Sequence, residues 1–286
     1  MIRAILMSAA LATLGCATTP AANRPDDKAS VPKELPIPHD LRDHIGRSSA
    51  IGRQLYVLDK VAAIGTDVLV ENIKTLEGKG LGGYIPLREG TDEGALKDSF
   101  MVTFFTRDSP PRIAYEIRVA PGAKPSYQAF DPPKAATSGF LALVQARQLA
   151  IDAMPPPRQP INPVLLPGEI NDEKGVLVYL LAGTKQPNVA VFGQHFRSLV
   201  PIGGTSISYM MPLSKTILEM PIRGPNGEEP EALVVTHIVT DFPLETHVFT
   251  SLLLKKTVYV GTRRGIWRVA GDEIALIDDE PPKGWK

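Results

Sequence analysis

From Ser49 to about Thr75 the apolar residues Ile51, Leu55, Leu58, Ala62, Leu69 and Ile73 recur at near-helical intervals, and no proline interrupts them. That spacing predicts an amphipathic helix with Ser49 as its N-cap. "EGKGLGG" ends it. Two β-rich runs follow, Phe100 to Phe105 and Ile113 to Val119, around a turn signalled by Asp108, Pro110 and Pro111. A second helix is predicted from about Thr137 to Met154. It is apolar nearly all round apart from Gln145, Gln148 and Asp152, so it should be largely buried. "MPPPRQPINP" stops it, because proline lacks the amide proton that a continued helix needs.

Beyond that proline run the pattern changes to short alternating or apolar stretches: "GVLVYLLAG", "NVAVFGQHFRSLV", "SISYMM", "ALVVTHIVT", "THVFTSLLL", "TVYVG", "IWRV" and "EIALID". Short links between successive strands imply antiparallel pairing, since parallel pairs need long crossovers. The expected fold is α+β: two helices in the N-terminal half packed with antiparallel sheet, then a mostly antiparallel β meander. The expected organisation is an α+β lobe at 45–154, a proline-rich connection at 155–167 and a β-rich lobe at 168–286.

The N-terminus reads "MIRAILMSAALATLGCATTP". Arg3 precedes an apolar run from Ala4 to Gly15 that is too short to span a bilayer but suits the core of a secretory signal. The stretch resembles the bacterial lipoprotein signal, in which small residues precede a cysteine that is lipidated and becomes N-terminal after cleavage. Gly15 and Cys16 match that pattern; Thr13 departs from it, standing where a large aliphatic residue is usual. The resemblance implies a signal at 1–15, a lipid anchor on Cys16, and, with Ala17 following, sorting to the outer membrane with the body facing the periplasm. An ordinary cleaved signal, leaving a soluble periplasmic protein, is the alternative. Residues 16–44 hold "ATTPAANRPDDKASVPKELPIP", small, polar and proline-rich, and read as a tether that does not fold.

Composition narrows the chemistry. The chain has one cysteine, so no disulfide and no multi-cysteine metal site is expected. Its formal net charge is +0, which gives no global reason to expect nucleic acid. Gly78, Gly80 and Gly83 match G-x-G-x-x-G, but a helix precedes them and an extended stretch follows, the reverse of a dinucleotide site. No cofactor is expected. The expected partners are the membrane, through Cys16, and an envelope protein or polymer.

Four groups remain as candidate sites. Asp59, Asp67 and Glu71 form a stripe on the first helix that reads either as a solvated face or as carboxylates for acid–base work. Near the C-terminus Arg263, Arg264 and Arg268 interleave with Trp267, a pattern that suits either a hairpin surface or an anionic polymer. Strand alternation places His195 beside Arg197 on a polar or rim face. His237 and His247, with Glu245 between them, could serve a metal-dependent enzyme or hydrolase. Read as a hairpin, a four-residue loop at Asp241–Leu244 sends the two imidazoles to opposite faces, and a five-residue loop sets them side by side. The mixed surroundings of His247 favour opposite faces. With no specific catalytic motif, the leading expectation is a non-enzymatic envelope module that binds or supports a partner.

Overall fold

The computed structural model describes residues 33–89, 99–184, 186, 188–224 and 227–284. The signal sequence, Cys16 and most of the tether lie outside the described residues. Residues 34–286 make one unit. Its elements run α1 (Arg42–Ile73), β1 (Leu81–Arg88), β2 (Phe100–Thr106), β3 (Arg112–Val119), β4 (Ser126–Ala135), α2 (Ser138–Ala153), β5 (Ile161–Ile170), β6 (Glu173–Ala182), β7 (Val189–Phe192) and β8 (Phe196–Pro201). There follow β9 (Tyr209–Pro212), β10 (Leu218–Pro221), β11 (Ala232–Thr236), α3 (Glu245–Leu254), β12 (Thr257–Thr262), β13 (Gly265–Ala270) and β14 (Glu273–Asp278).

The α+β class is as the sequence predicts, with helices early and strands dominating the second half. β1–β4 form an antiparallel meander, β5-β6-β8-β9 a second antiparallel sheet, and β7 pairs with β10. The last sheet, β11-β12-β13-β14, contains the exception: β11 and β12 are parallel. Such a pair needs a crossover, and α3 supplies it.

Both faces of β6 are buried, as its unbroken apolar run requires. Leu177, Tyr179 and Leu181 join a core with Leu55 and Leu69 of α1, Phe104 of β2 and Val164 of β5. Val178 and Leu180, pointing the other way, pack with Phe140 and Ala150 of α2. The expected 155–167 connection therefore does not separate two cores, and its second half is the start of β5. α2 has the predicted bounds, with Thr137 capping it by accepting the Phe140 amide proton at 3.2 Å. It is not largely buried: only Phe140, Val144, Ala146 and Ala150 are, and the small residues Ala142 and Ala153 face outward with its polar stripe. Among the described residues no helix is long and apolar enough to cross a membrane.

Two further expectations are corrected. The tether was expected to reach residue 44, but Leu35 bridges to Leu276, Leu35, Ile37 and Leu41 pack into the core of the last sheet, and α1 begins at Arg42. Widely spaced apolar residues among prolines were enough to dock this segment. Second, "THVFTSLLL" is not a strand; it lies wholly within α3. Residues 243–251 are all buried, so no polar face exists to reveal a helical period. Its hydroxyls bond to backbone: Thr250 donates to the Thr246 carbonyl at 2.8 Å and Ser251 to the Lys256 carbonyl at 2.6 Å.

α3 lies so close to α1 that a Cβ on Gly52 would meet the Val248 Cβ at 2.5 Å and the Glu245 carbonyl oxygen at 2.6 Å. Gly52→Ala is expected to destabilise the protein by about 1–3 kcal/mol through overpacking. Gly46→Ala, in open space on the same helix, should be neutral or stabilising by up to about 1 kcal/mol. Urea unfolding of the two variants checks both.

Candidate functional site

The expected strand "NVAVFGQHFRSLV" is broken in the middle. Gly193 has φ 108° and Gln194 φ 55°, so β7 ends and β8 begins afresh after a sharp turn. Only glycine fits at 193, because a Cβ there would meet the Thr216 carbonyl oxygen at 2.0 Å. The break resets the alternation on which the rim placement of His195 rested. His195 is instead 3% exposed, and its Nδ1 accepts the Ala182 amide proton at 2.9 Å.

His237 directly follows β11, its amide donating to the Gly261 carbonyl at 2.8 Å. Its Nε2 accepts the Thr240 amide proton at 3.2 Å and lies 2.9 Å from the Thr240 hydroxyl oxygen. Residues 238–244 then lead into α3. His247 is the third residue of that helix, and its Nδ1 accepts the amide proton of the N-cap residue Leu244 at 3.0 Å. This is the work a glutamate does in a capping box.

Because the second element is a helix and not a strand, hairpin register never arises. The expectation of opposite faces is corrected: the His237 and His247 rings lie 4.8 Å apart between centroids, at 84° to one another. Glu245 does not join them. It precedes His247 by two residues, a rotation of roughly 200° about the helix. Its Oε1 accepts instead from the Tyr179 hydroxyl at 2.9 Å and from Arg197 Nη1 at 2.8 Å, with the Glu245 side chain 2% exposed. Burial first, then the neighbouring Glu245 charge, pushes the Tyr179 phenol well above its ordinary value.

His195, His237 and His247 all line one cavity of about 270 Å³. Burial lowers His195 and His237 from 6.5 to about 4. Burial, and then the proximity of His237, holds His247 well below its ordinary value. All three are neutral at neutral pH. A neutral imidazole has one lone-pair nitrogen and one N–H. In each of the three rings the lone pair already accepts a backbone amide proton, so the other nitrogen carries the hydrogen. The tautomers assigned by these bonds are Nε2–H for His195 and His247 and Nδ1–H for His237.

Metal-ligating histidines show the reverse arrangement, presenting a bare nitrogen to the metal and donating the other N–H to a carbonyl or carboxylate. A general base likewise needs a bare nitrogen facing its substrate. Among the described residues no group of three or more His, Cys, Asp or Glu side chains is disposed to hold a metal ion. The cavity is a cluster of hydrogen-bond donors. His195 Nε2 is buried with no hydrogen-bond partner.

The other candidates fall elsewhere. Trp267 is fully buried, its Nε1 donating to the Thr262 hydroxyl at 3.1 Å. Arg264 pairs with Asp40 at 2.6 Å, and Arg268 pairs with Glu34. These cations fasten residues 34–41 to the last sheet, and Arg263 stands exposed beside them. Of the α1 stripe, Asp67 and Glu71 are exposed. Asp59 is half-buried, which raises its carboxyl, and accepts from Asn162 beside a second cavity of about 360 Å³. Gly78 and Gly80, at φ 75° and 63°, lie between α1 and β1, as expected of a loop. Sequence reasoning missed Lys215, Thr246 and Thr250, which also line the histidine cavity. Thr246, His247 and Thr250 share a face only once the segment is recognised as helical.

Two outcomes follow from this geometry. The unfolded chain protonates its histidines near pH 6.5, while His195 and His237 refuse the proton until about pH 4. The unfolded state thus binds more protons in that window. Stability should be full above it and fall as pH drops through it, by up to roughly 3 kcal/mol for each of these two imidazoles. Urea unfolding at a series of pH values measures the slope, which His195→Asn should reduce. Glu245→Ala, which strands Arg197 without its buried partner, should cost about 3–5 kcal/mol in the same assay. Comparison of the chain with protein-family models, with curated proteins and with solved structures finds no match to any of the three.

Proposed function

We propose that the protein is a lipoprotein anchored through Cys16 in the outer membrane, and that its periplasm-facing body is a binding module whose ligand site is the three-histidine cavity. The anchor rests on the apolar run ending at Gly15–Cys16 and its likeness to a lipoprotein signal. One observation carries the binding role: every imidazole in the cavity has its lone pair spent on a backbone amide, which leaves donors and no base. The competing reading, a metal-dependent enzyme or hydrolase using His237, Glu245 and His247, is favoured by the closeness of the two rings. It is opposed by the tautomers and by Glu245 facing the opposite way.

Long-range proton–nitrogen NMR of the purified chain at neutral pH should find His195 and His247 as Nε2–H tautomers and His237 as Nδ1–H. Zinc titration should show no stoichiometric uptake; a bound zinc lost on His247→Ala would replace this reading with the enzymatic one. For the anchor, metabolic labelling with a fatty acid should mark the wild-type chain and leave Cys16→Ala unlabelled.

A further inference from the structure

We propose that the three-histidine cavity takes a small organic carboxylate, its oxygens held by the imidazole N–H groups and its apolar body by the aliphatic wall. This rests on the reading of the cavity as a ligand site and names what fills it.

The polar end of the cavity is built for an acceptor. His195 Nε2 is an N–H with no partner, on a side chain 97% buried by the complement of its 3% exposure. An orphaned donor at that depth costs free energy unless something occupies the site. Thr246 and His247, in the first turn of α3, line the same space. The His247 amide is already taken by the Leu244 carbonyl at 3.0 Å, so what this turn offers is the helix dipole, which favours negative charge there. Among the described residues Lys215 is the one charged side chain on the lining, and no carboxylate shares it. Glu245, the nearest acid along the chain, is already paired with Arg197. A cation would meet the like charge of Lys215 and the imidazole N–H groups, with only the neutral hydroxyls of the lining serine and threonines to accept it; an anion meets complementary groups.

The remaining wall excludes a bare inorganic anion. Phe192, Leu213, Val235 and Val239 line it, and Leu218 and Ile238 continue the apolar surface, 41% and 48% exposed. Sulfate or phosphate has oxygens on every side and would leave some of them against hydrocarbon without a partner. A carboxylate has one polar end and one apolar end, as the cavity does. At about 270 Å³ the space lies just under the usual range for small-molecule sites, which suits a ligand of roughly ten heavy atoms.

Isothermal titration of the full chain with benzoate, benzamide and benzylamine at low salt tests this. Benzoate should bind one to one and shift the imidazole nitrogen signals of His195, His237 and His247. Benzamide, of the same shape without the charge, should bind at least about ten-fold weaker, and benzylamine not at all. Lys215→Ala, at an exposed position, should weaken benzoate by a few-fold. His195→Asn keeps an acceptor for the Ala182 amide and removes the inward N–H; it should weaken benzoate by about ten-fold. If His195→Asn fails to fold, Lys215→Ala and the nitrogen shifts carry the test. The proposal is overturned if benzamide binds as tightly as benzoate, or if binding leaves the three imidazole signals in place. It is equally overturned if no carboxylate binds at about millimolar concentration. Failure of that last kind with the donor tautomers confirmed removes the carboxylate alone, whereas zinc uptake removes the donor site itself.

Discussion

The pairing of Glu245 with Arg197 is the constraint on which the site depends. A carboxylate this deeply buried is tolerable only with a charged, hydrogen-bonded partner, and losing either partner leaves an uncompensated charge. Arg197 stands on β8 and Tyr179, the second donor to Glu245, on β6. The pair thus pins the first turn of α3 against the second sheet, while Gly52 admits the same helix against α1. With one side of that turn committed to the ion pair, the opposite side carries His247 toward His237.

The cavity is a by-product of how three connections meet. The turn after β7 turns His195 inward, the segment between β9 and β10 supplies Lys215, and the crossover from β11 to β12 supplies His237 and His247. Each imidazole is held by a backbone amide from its own surroundings: the end of β6, the loop at Thr240, the N-cap of α3. That support sets the tautomers, so the character of the site follows from main-chain bonding more than from the presence of histidine. The C-terminal arginines have a different occupation, holding residues 34–41 against the last sheet through Asp40 and Glu34.

The legible parts of the fold are those whose burial is one-sided or whose ends are marked. α1 shows a polar stripe and emerges from spacing alone, since Ser49, expected as its N-cap, lies inside a helix that begins at Arg42 and donates to the Asp272 carbonyl. α2 has Thr137 at its start and prolines at its end. β2, β3, β6 and β12–β14 emerge from β-branched runs between turn residues. α3 did not, because "ETHVFTSLLL" combines strand-favouring residues with burial of everything from Glu245 to Ser251, and a period cannot be seen where nothing is polar and exposed. His195 was misplaced for a local reason: alternation was carried across Gly193 and Gln194, two successive left-handed residues that end it. The docking of Leu35, Ile37 and Leu41 was hidden because proline-rich composition reports the cost of folding a segment alone and not its affinity for a neighbouring sheet.

What the sequence by itself determined is local: where helices and strands are favoured, that one cysteine is available, and that two histidines stand ten residues apart. Such properties depend on neighbours along the chain, and the chain displays them. Whether His237 and His247 meet, whether His195 comes with them, and whether Glu245 belongs to their site were decided by tertiary structure. Those outcomes hinge on a parallel strand pair needing a helical crossover, and on a buried carboxylate needing an arginine from a strand 48 positions away. Neither requirement leaves a periodic trace in the residues it governs.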